Sequence, residues 1–378
     1  MTEPWPTVRA IALVALLCAG CRSGSGAGSG SATADPKKGP VAGAGSAASS
    51  GVAWHWDAPP PASVGMPAAD DRTVAFTYGS QHLVVLDGSG AVRWDVARLG
   101  VRDVAPLLTP DLVVAATDDG VAAFRRSDGA KVWDTPLQAR ANSPVLAGGL
   151  AVTTTWEGDL VGLDLTAGKL VWKTRLGGAA IGPPATDGTT AVATWAEEHG
   201  LSAGAVAVDA AAGRRRWAVA LPAGGTGAPA VTPDGTVVVV AGDVAAHGLA
   251  LGTGQERWRT PLDGAGSPEV PPAVVGADKV LTAHRLGGLD LLDTATGKRA
   301  WQVGTDGAAV RGGPVVGPDG SFAFPLDDGR LLLAGPERPV EFRQAPGRIS
   351  GLARGPGGLL VAATRGGTAN SVQATARW

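Results

Sequence analysis

Six times between residues 90 and 301, a glycine is followed four positions later by a tryptophan: Gly90/Trp94, Gly129/Trp133, Gly168/Trp172, Gly213/Trp217, Gly254/Trp258 and Gly297/Trp301. Successive tryptophans stand 39, 39, 45, 41 and 43 residues apart, and Phe342, 41 residues beyond Trp301, marks a degenerate seventh copy. A fixed period of this length identifies a repeat architecture, which lets a chain of 378 residues form one domain.

Each copy has the same internal order. A Pro/Gly-containing segment precedes an apolar, β-branched run such as Leu112-Val113-Val114-Ala115-Ala116. A polar turn leads to a second run such as Leu160-Val161-Gly162-Leu163-Asp164, and a Gly turn leads to a third that carries the tryptophan, such as Lys169-Leu170-Val171-Trp172. Runs this short fit strands and not helices, and the 57 glycines and 28 prolines favour frequent turns. With the first segment as an inner strand, each copy has four strands. Asp87, Asp164, Asp209 and Asp293 can accept backbone hydrogen bonds and start the turn before the tryptophan. Glycine supplies the positive φ that closes it. The indole then packs on a neighbouring strand or blade. It covers roughly 150–250 Å², and its truncation costs on the order of 3–5 kcal/mol.

Tandem four-stranded units of this size predict an all-β, eight-bladed β-propeller over residues 51–378. The last copy has runs at Ile349–Ala353, Leu359–Ala363 and Val372–Arg377 and then stops one strand short. Val52-Ala53-Trp54-His55-Trp56 resembles the tryptophan-bearing strands and supplies the missing one. Closing the ring this way removes an open edge.

The first 21 residues read as an export signal. Arg9 precedes a short apolar run, Ile11–Leu17, too brief to span a bilayer, and small residues follow. Leu17-Cys18-Ala19-Gly20-Cys21 resembles a bacterial lipobox, which implies a lipoprotein signal over residues 1–20 and an acylated Cys21. Cys18 and Cys21 are the only cysteines, so removal of the first and lipidation of the second leave a domain with no thiol, disulfide or cysteine ligand. Residues 21–50 are mostly Gly, Ser and Ala, with too little apolar surface to fold, and read as a tether. A net charge of −2 gives no electrostatic footprint for nucleic acid.

The fullest repeat, Asp293-Thr294-Ala295-Thr296-Gly297-Lys298-Arg299-Ala300-Trp301, resembles the tryptophan-docking repeat of the pyrroloquinoline-quinone (PQQ) propeller superfamily. Asp164–Trp172 follows it closely. Copy two has Arg126 in place of the Asp, and copy seven lacks both Gly and Trp. Two branches of the superfamily bear on function. Quinoprotein dehydrogenases hold PQQ and Ca²⁺ in a central funnel, are generally longer, and many stack the cofactor on an adjacent-cysteine disulfide that cannot exist here. The other branch comprises non-enzymatic lipoproteins resembling BamB, a scaffold of the outer-membrane β-barrel assembly machinery. The length, lipobox and tether resemble this second branch. The resemblance implies a monomeric, periplasm-facing, outer-membrane-anchored scaffold that needs no cofactor and binds envelope proteins. Arg22, where Asp would signal inner-membrane retention, fits that sorting. A dehydrogenase, or a ligand-sensing propeller using the funnel, is the alternative.

No local motif carries chemistry. His55, His82, His199, His247 and His284 are scattered without metal-ligand spacing. Asp118–Gly120, Asp327–Gly329, Pro233–Gly235 and Pro318–Gly320 read as β-turns. The loops between second and third strands share one face of the ring and carry Tyr78, Trp156, Trp195, Glu197 and Glu198, the residues expected to form a partner-binding surface. The competing expectation is that Trp156 and Trp195 simply pack between blades.

Overall fold

The computed structural model describes residues 52–375, apart from Pro61, Arg98, Gly225, 263–269, Arg285, Leu286, Arg311, Pro336, Glu337, Pro346 and 366–369. The expected signal, Cys21 and the tether lie outside the described residues.

Eight antiparallel sheets follow one another as blades. Blade 2 is representative: Leu107–Leu108, Leu112–Ala116, Gly120–Arg125 and Lys131–Pro136 pair in sequence order from inside to outside. The eighth blade joins Arg348–Arg354, Leu360–Arg365 and Ser371–Thr375 to Val52–Asp57. The expected eight-bladed propeller and its closing strand are both present. Val52 pairs with Thr375 and Trp56 with Val372. Polar bonds hold the chain that follows the closing strand: Arg365 Nε donates to Val64 O at 2.9 Å, and Asn370 Nδ2 to Ala62 O at 2.8 Å. Among the described residues no helix is long and apolar enough to cross a membrane.

Burial explains the sequence pattern. The second and third strands of a blade are covered on both faces by neighbouring blades, so Thr73–Tyr78 and Thr236–Ala241 are buried at every position. This is why such runs read as continuously apolar and do not alternate. The outer strands alternate instead, with Arg and Lys at exposed positions that discourage edge pairing and the tryptophan turned inward.

The glycine and tryptophan of one copy do not pack on each other. Each indole docks on the glycine turn of the next blade. A methyl group at Gly129 would lie 2.7 Å from the Trp94 ring, one at Gly168 2.6 Å from Trp133, and one at Gly213 2.5 Å from Trp172. The pattern continues with Gly254 on Trp217 and Gly297 on Trp258, and Gly90 receives Trp54 of the closing strand. Five indole N–H groups also donate to a backbone carbonyl of the next blade: Trp94 to Arg126, Trp133 to Leu165, Trp172 to Ala210, Trp217 to Leu251 and Trp258 to Thr294, at 2.7–2.9 Å.

A β-bulge directs each indole. In blades 1 to 6 the register shifts at the residue before the tryptophan, so Arg93, Val132, Val171, Arg216, Arg257 and Ala300 have no cross-strand partner. Gly162 and Gly248 lie opposite Trp172 and Trp258 and leave room for the ring to lie flat. Leu291 stands at that place opposite Trp301, and Trp301 is only half-buried, edge-on to Phe322. Blade 7 carries Phe342 instead, under the Arg330 guanidinium.

The expected replacement of the turn aspartate by Arg126 needs correction by one residue. Gly129 N–H bonds to Arg125 O as Gly168 bonds to Asp164 O, so Arg125 occupies the aspartate position. Arg126 is instead a buried strut. It donates to Thr109 O at 2.8 Å and to both carboxylate oxygens of Asp70 at 2.6 Å, joining blades 1 and 2. Burial opposes the Asp70 charge, but the Arg126 bond and the N–H groups of Arg72 and Thr73 outweigh it and hold the carboxyl below its ordinary value. Turn aspartates are held low as well, Asp87 mainly by the Ser89 hydroxyl and Asp293 by the Thr296 hydroxyl.

Two outcomes test this account. Gly168→Ala meets both a φ of +69° and the Trp133 ring, whereas Gly235→Ala meets only a φ of +74° with nothing within 4 Å. The second substitution costs about 1–2 kcal/mol and the first about 3 kcal/mol or more, read from urea unfolding. Because the folded aspartate pKa values are depressed, their stabilisation is complete above the ordinary value of 3.8 and is lost as pH falls through and below it. Melting temperature is therefore level near neutrality and drops on acidification past that value, and Asp70→Asn removes part of the acid slope.

Candidate partner-binding face

Strand alternation sends the loops between second and third strands, and the connections between blades, to one face. There they bond to each other. Asp118 N–H donates to Gly100 O, Leu137 N–H to Asp119 O, and Trp156 N–H to Arg140 O, at 2.8–3.0 Å. The opposite face carries the aspartate–glycine turns.

The expected loop residues fall into different environments. Tyr78 does not lie on the loop surface, a correction of the expected placement. It ends the strand Thr73–Tyr78, is buried, stacks on His82 at 4.2 Å between centroids and donates its hydroxyl to Asp95 at 2.7 Å. Burial, and then the Asp95 carboxylate, push the phenol above its ordinary value. Trp195 lies in the strand Thr190–Ala196 and is held between glycines: methyl groups at Gly177 and Gly204 would come within 2.4 and 2.7 Å of its ring. Glu197 is exposed at the start of a 3₁₀ turn, Glu198–Gly200, in which His199 has a φ of 68°. The side chain of Glu198 lies outside those described.

Trp156 differs from both other aromatics, with 48% of its surface open to solvent. It is nevertheless held in place. Its indole Nε1–H donates to Asn142 Oδ1 at 3.2 Å, and Asn142 Nδ2 donates to Thr154 Oγ1 at 2.9 Å and Gly182 O at 3.2 Å. The Arg102 guanidinium lies 4.6 Å from the ring centroid and that of Arg140 5.7 Å, both within cation–π range. Arg102 comes from the connection between blades 1 and 2, and Arg140 and Asn142 from that between blades 2 and 3. Beside Arg102, Asp103 pairs with Arg365 at 3.1 Å. The face thus presents one fixed aromatic between cations, assembled from three blades. Arg102, Arg140 and Asn142 were not singled out in the sequence, since they sit in connecting segments without a repeat signature.

A second polar cluster lies near the outside of blade 5. His247 is buried between Glu256, 2.6 Å from Nδ1, and Asp243, 3.0 Å from Nε2. The two carboxylates lie at opposite ends of the ring, a bridging arrangement unlike metal ligation. Among the described residues, no group of three or more His, Cys, Asp or Glu is suited to a metal ion.

The family model described as outer membrane protein assembly factor BamB, a PQQ-type repeat family, matches residues 37–135, 117–203 and 202–337. The chain belongs to this family. Among solved structures, BamB from Moraxella catarrhalis has a TM-score of 0.66 at 16% identity, covering 85% of this chain and 96% of that one. The computationally designed Ika8 protein reaches 0.68 at 14% identity, covering 83% and 96%, and the C-terminal WD40 domain of Sif2 0.69 at 12%, covering 86% and 98%. A designed propeller and a WD40 domain score as high as BamB, so the structural likeness speaks for the fold alone. No curated protein matches the chain. Family membership carries the coarse expectation of an envelope-associated, BamB-like scaffold.

The two tryptophans separate by experiment. Trp195→Ala empties a slot between two backbones and costs about 2–3 kcal/mol. Trp156→Ala removes a half-open ring and costs about 1 kcal/mol or less. Urea unfolding of the two variants checks the order.

Proposed function

We propose that this chain is a non-enzymatic lipoprotein, anchored through Cys21 in the outer membrane and facing the periplasm. It holds other envelope proteins on the loop face around Trp156, in the service of outer-membrane β-barrel assembly. Family membership supports the envelope role, and the lipobox-like Leu17–Cys21 supports the anchor. The single observation that carries the binding role is the half-exposed Trp156 indole, fixed by Asn142 and flanked by Arg102 and Arg140. Trp and Arg are the side chains most often found at the energetic centres of protein interfaces, and a ring already held in place loses little entropy on binding.

The deciding experiment is capture of the intact lipoprotein from its own membranes, with mass spectrometry of the proteins that accompany it. Co-purification of a β-barrel assembly component, lost in Trp156→Ala at unchanged melting temperature, is the expected result. If no envelope protein accompanies the wild-type chain after mild solubilisation, the scaffold role fails and ligands of the central funnel become the leading question. Separately, Cys21→Ser abolishes labelling by a radioactive fatty acid and moves the chain from the membrane to the soluble fraction.

A further inference from the structure

We infer that the Arg102–Trp156–Arg140 clamp recognises carboxylates, so that the segment held on this face is an acidic stretch of polypeptide. This rests on the scaffold reading for the source of the segment, but the chemistry is read from the clamp itself.

Several surface arginines are neutralised within their own blade, as Arg125 is by Asp128, Arg216 by Asp209 and Arg343 by Glu341. The two at Trp156 are not. Among the described residues no carboxylate pairs with Arg102 or Arg140; Asp103, next to Arg102 in sequence, pairs with Arg365 at 3.1 Å. Arg102 Nε is buried and has no acceptor among the described residues, so a carboxylate meets this guanidinium at its Nη donors. Cation–π contact with the indole holds both guanidinium groups beside the ring, with their Nη groups as the donors for a planar carboxylate. The indole adds an apolar platform for the stem of a glutamate or for a residue beside it.

A membrane surface fits less well. Anionic headgroups are gathered by several basic side chains spread over a face, whereas here a single ring with two flanking cations is set among acidic loop residues, Asp118, Asp119 and Glu157.

The test uses the full chain carrying Cys21→Ser and a fluorescent N-acetyl-pentaglutamate, followed by anisotropy at low salt. Saturable binding is expected, weakened at least tenfold in R102Q/R140Q, reduced by added salt and absent for pentalysine. Equal binding by R102Q/R140Q, equal binding of pentalysine, or no saturable binding overturns the inference. So does preferential binding of phosphatidylglycerol vesicles that displaces the peptide and depends on the same two arginines. The scaffold reading is judged apart, by capture from membranes. Partner capture that survives R102Q/R140Q but is lost in Trp156→Ala leaves the scaffold standing and overturns carboxylate recognition. Pentaglutamate binding without any captured partner does the reverse. Melting temperatures within about 1 °C of wild type exclude misfolding as the cause.

Discussion

Six joins of the ring depend on one repeated contact, an indole from one blade lying flat on a glycine of the next, and in five of them the indole N–H closes onto that blade's backbone. Neither half works alone. The glycine must lack a side chain because the ring occupies the space where a Cβ would be, and its positive φ turns the chain tightly enough to offer its carbonyl neighbours to the indole. The bulge before each tryptophan rotates the ring out of its own sheet and toward the neighbour. Turn, bulge and indole together convert a row of separate four-stranded sheets into a closed set of joints.

Joints of this kind also explain why the loop face is free to vary. The indole–glycine contacts and the aspartate turns lie toward one face of the ring, along with the Arg126–Asp70 strut. The other face is held mainly by backbone bonds between hairpin loops and blade connections, which place few demands on side chains. Arg102, Arg140 and Trp156 can therefore come together there without weakening the ring. The same division accounts for the two tryptophans that looked alike in sequence: Trp195 is pressed between Gly177 and Gly204 within the sheet, and Trp156 stands two residues beyond its strand.

Much of the fold was legible because its determinants repeat. Gly90 to Gly297 and Trp94 to Trp301 announced both the blade and its period, and Val52–Trp56 announced the closure. What could not be read was which tryptophan meets which glycine, because the spacing of four residues suggests a partner within the copy and the true partner lies 35–41 residues away. Arg126 was similarly opaque. Nothing in Arg125-Arg126-Ser127-Asp128-Gly129 says which arginine faces inward until the turn's hydrogen bonds set the register. The site was the least legible part. Trp156 and its loop were visible as an aromatic in a turn, but its two arginines and Asn142 are single residues in unpatterned connections, brought together only by the stacking of blades 1, 2 and 3. Tyr78 was misplaced for the opposite reason: a residue at the end of a strand looks like a loop residue when only the turn after it is conspicuous.

The closing strand has a consequence for how the molecule comes to be folded. Val52 pairs with Thr375, so the first strand of the domain to leave the ribosome finds its partners only when the last has followed. Blades 1 to 7 can form in order from local hairpins, each in contact with its predecessor, but the longest loop in the chain must close before any edge is sealed. Until then Val52–Asp57 is an unpaired strand, and the eighth blade presents an open edge to whatever is nearby. Folding of this ring is thus timed by the arrival of its C-terminus, and a chain stopped even a few residues early has every joint in place except the one that makes it a circle.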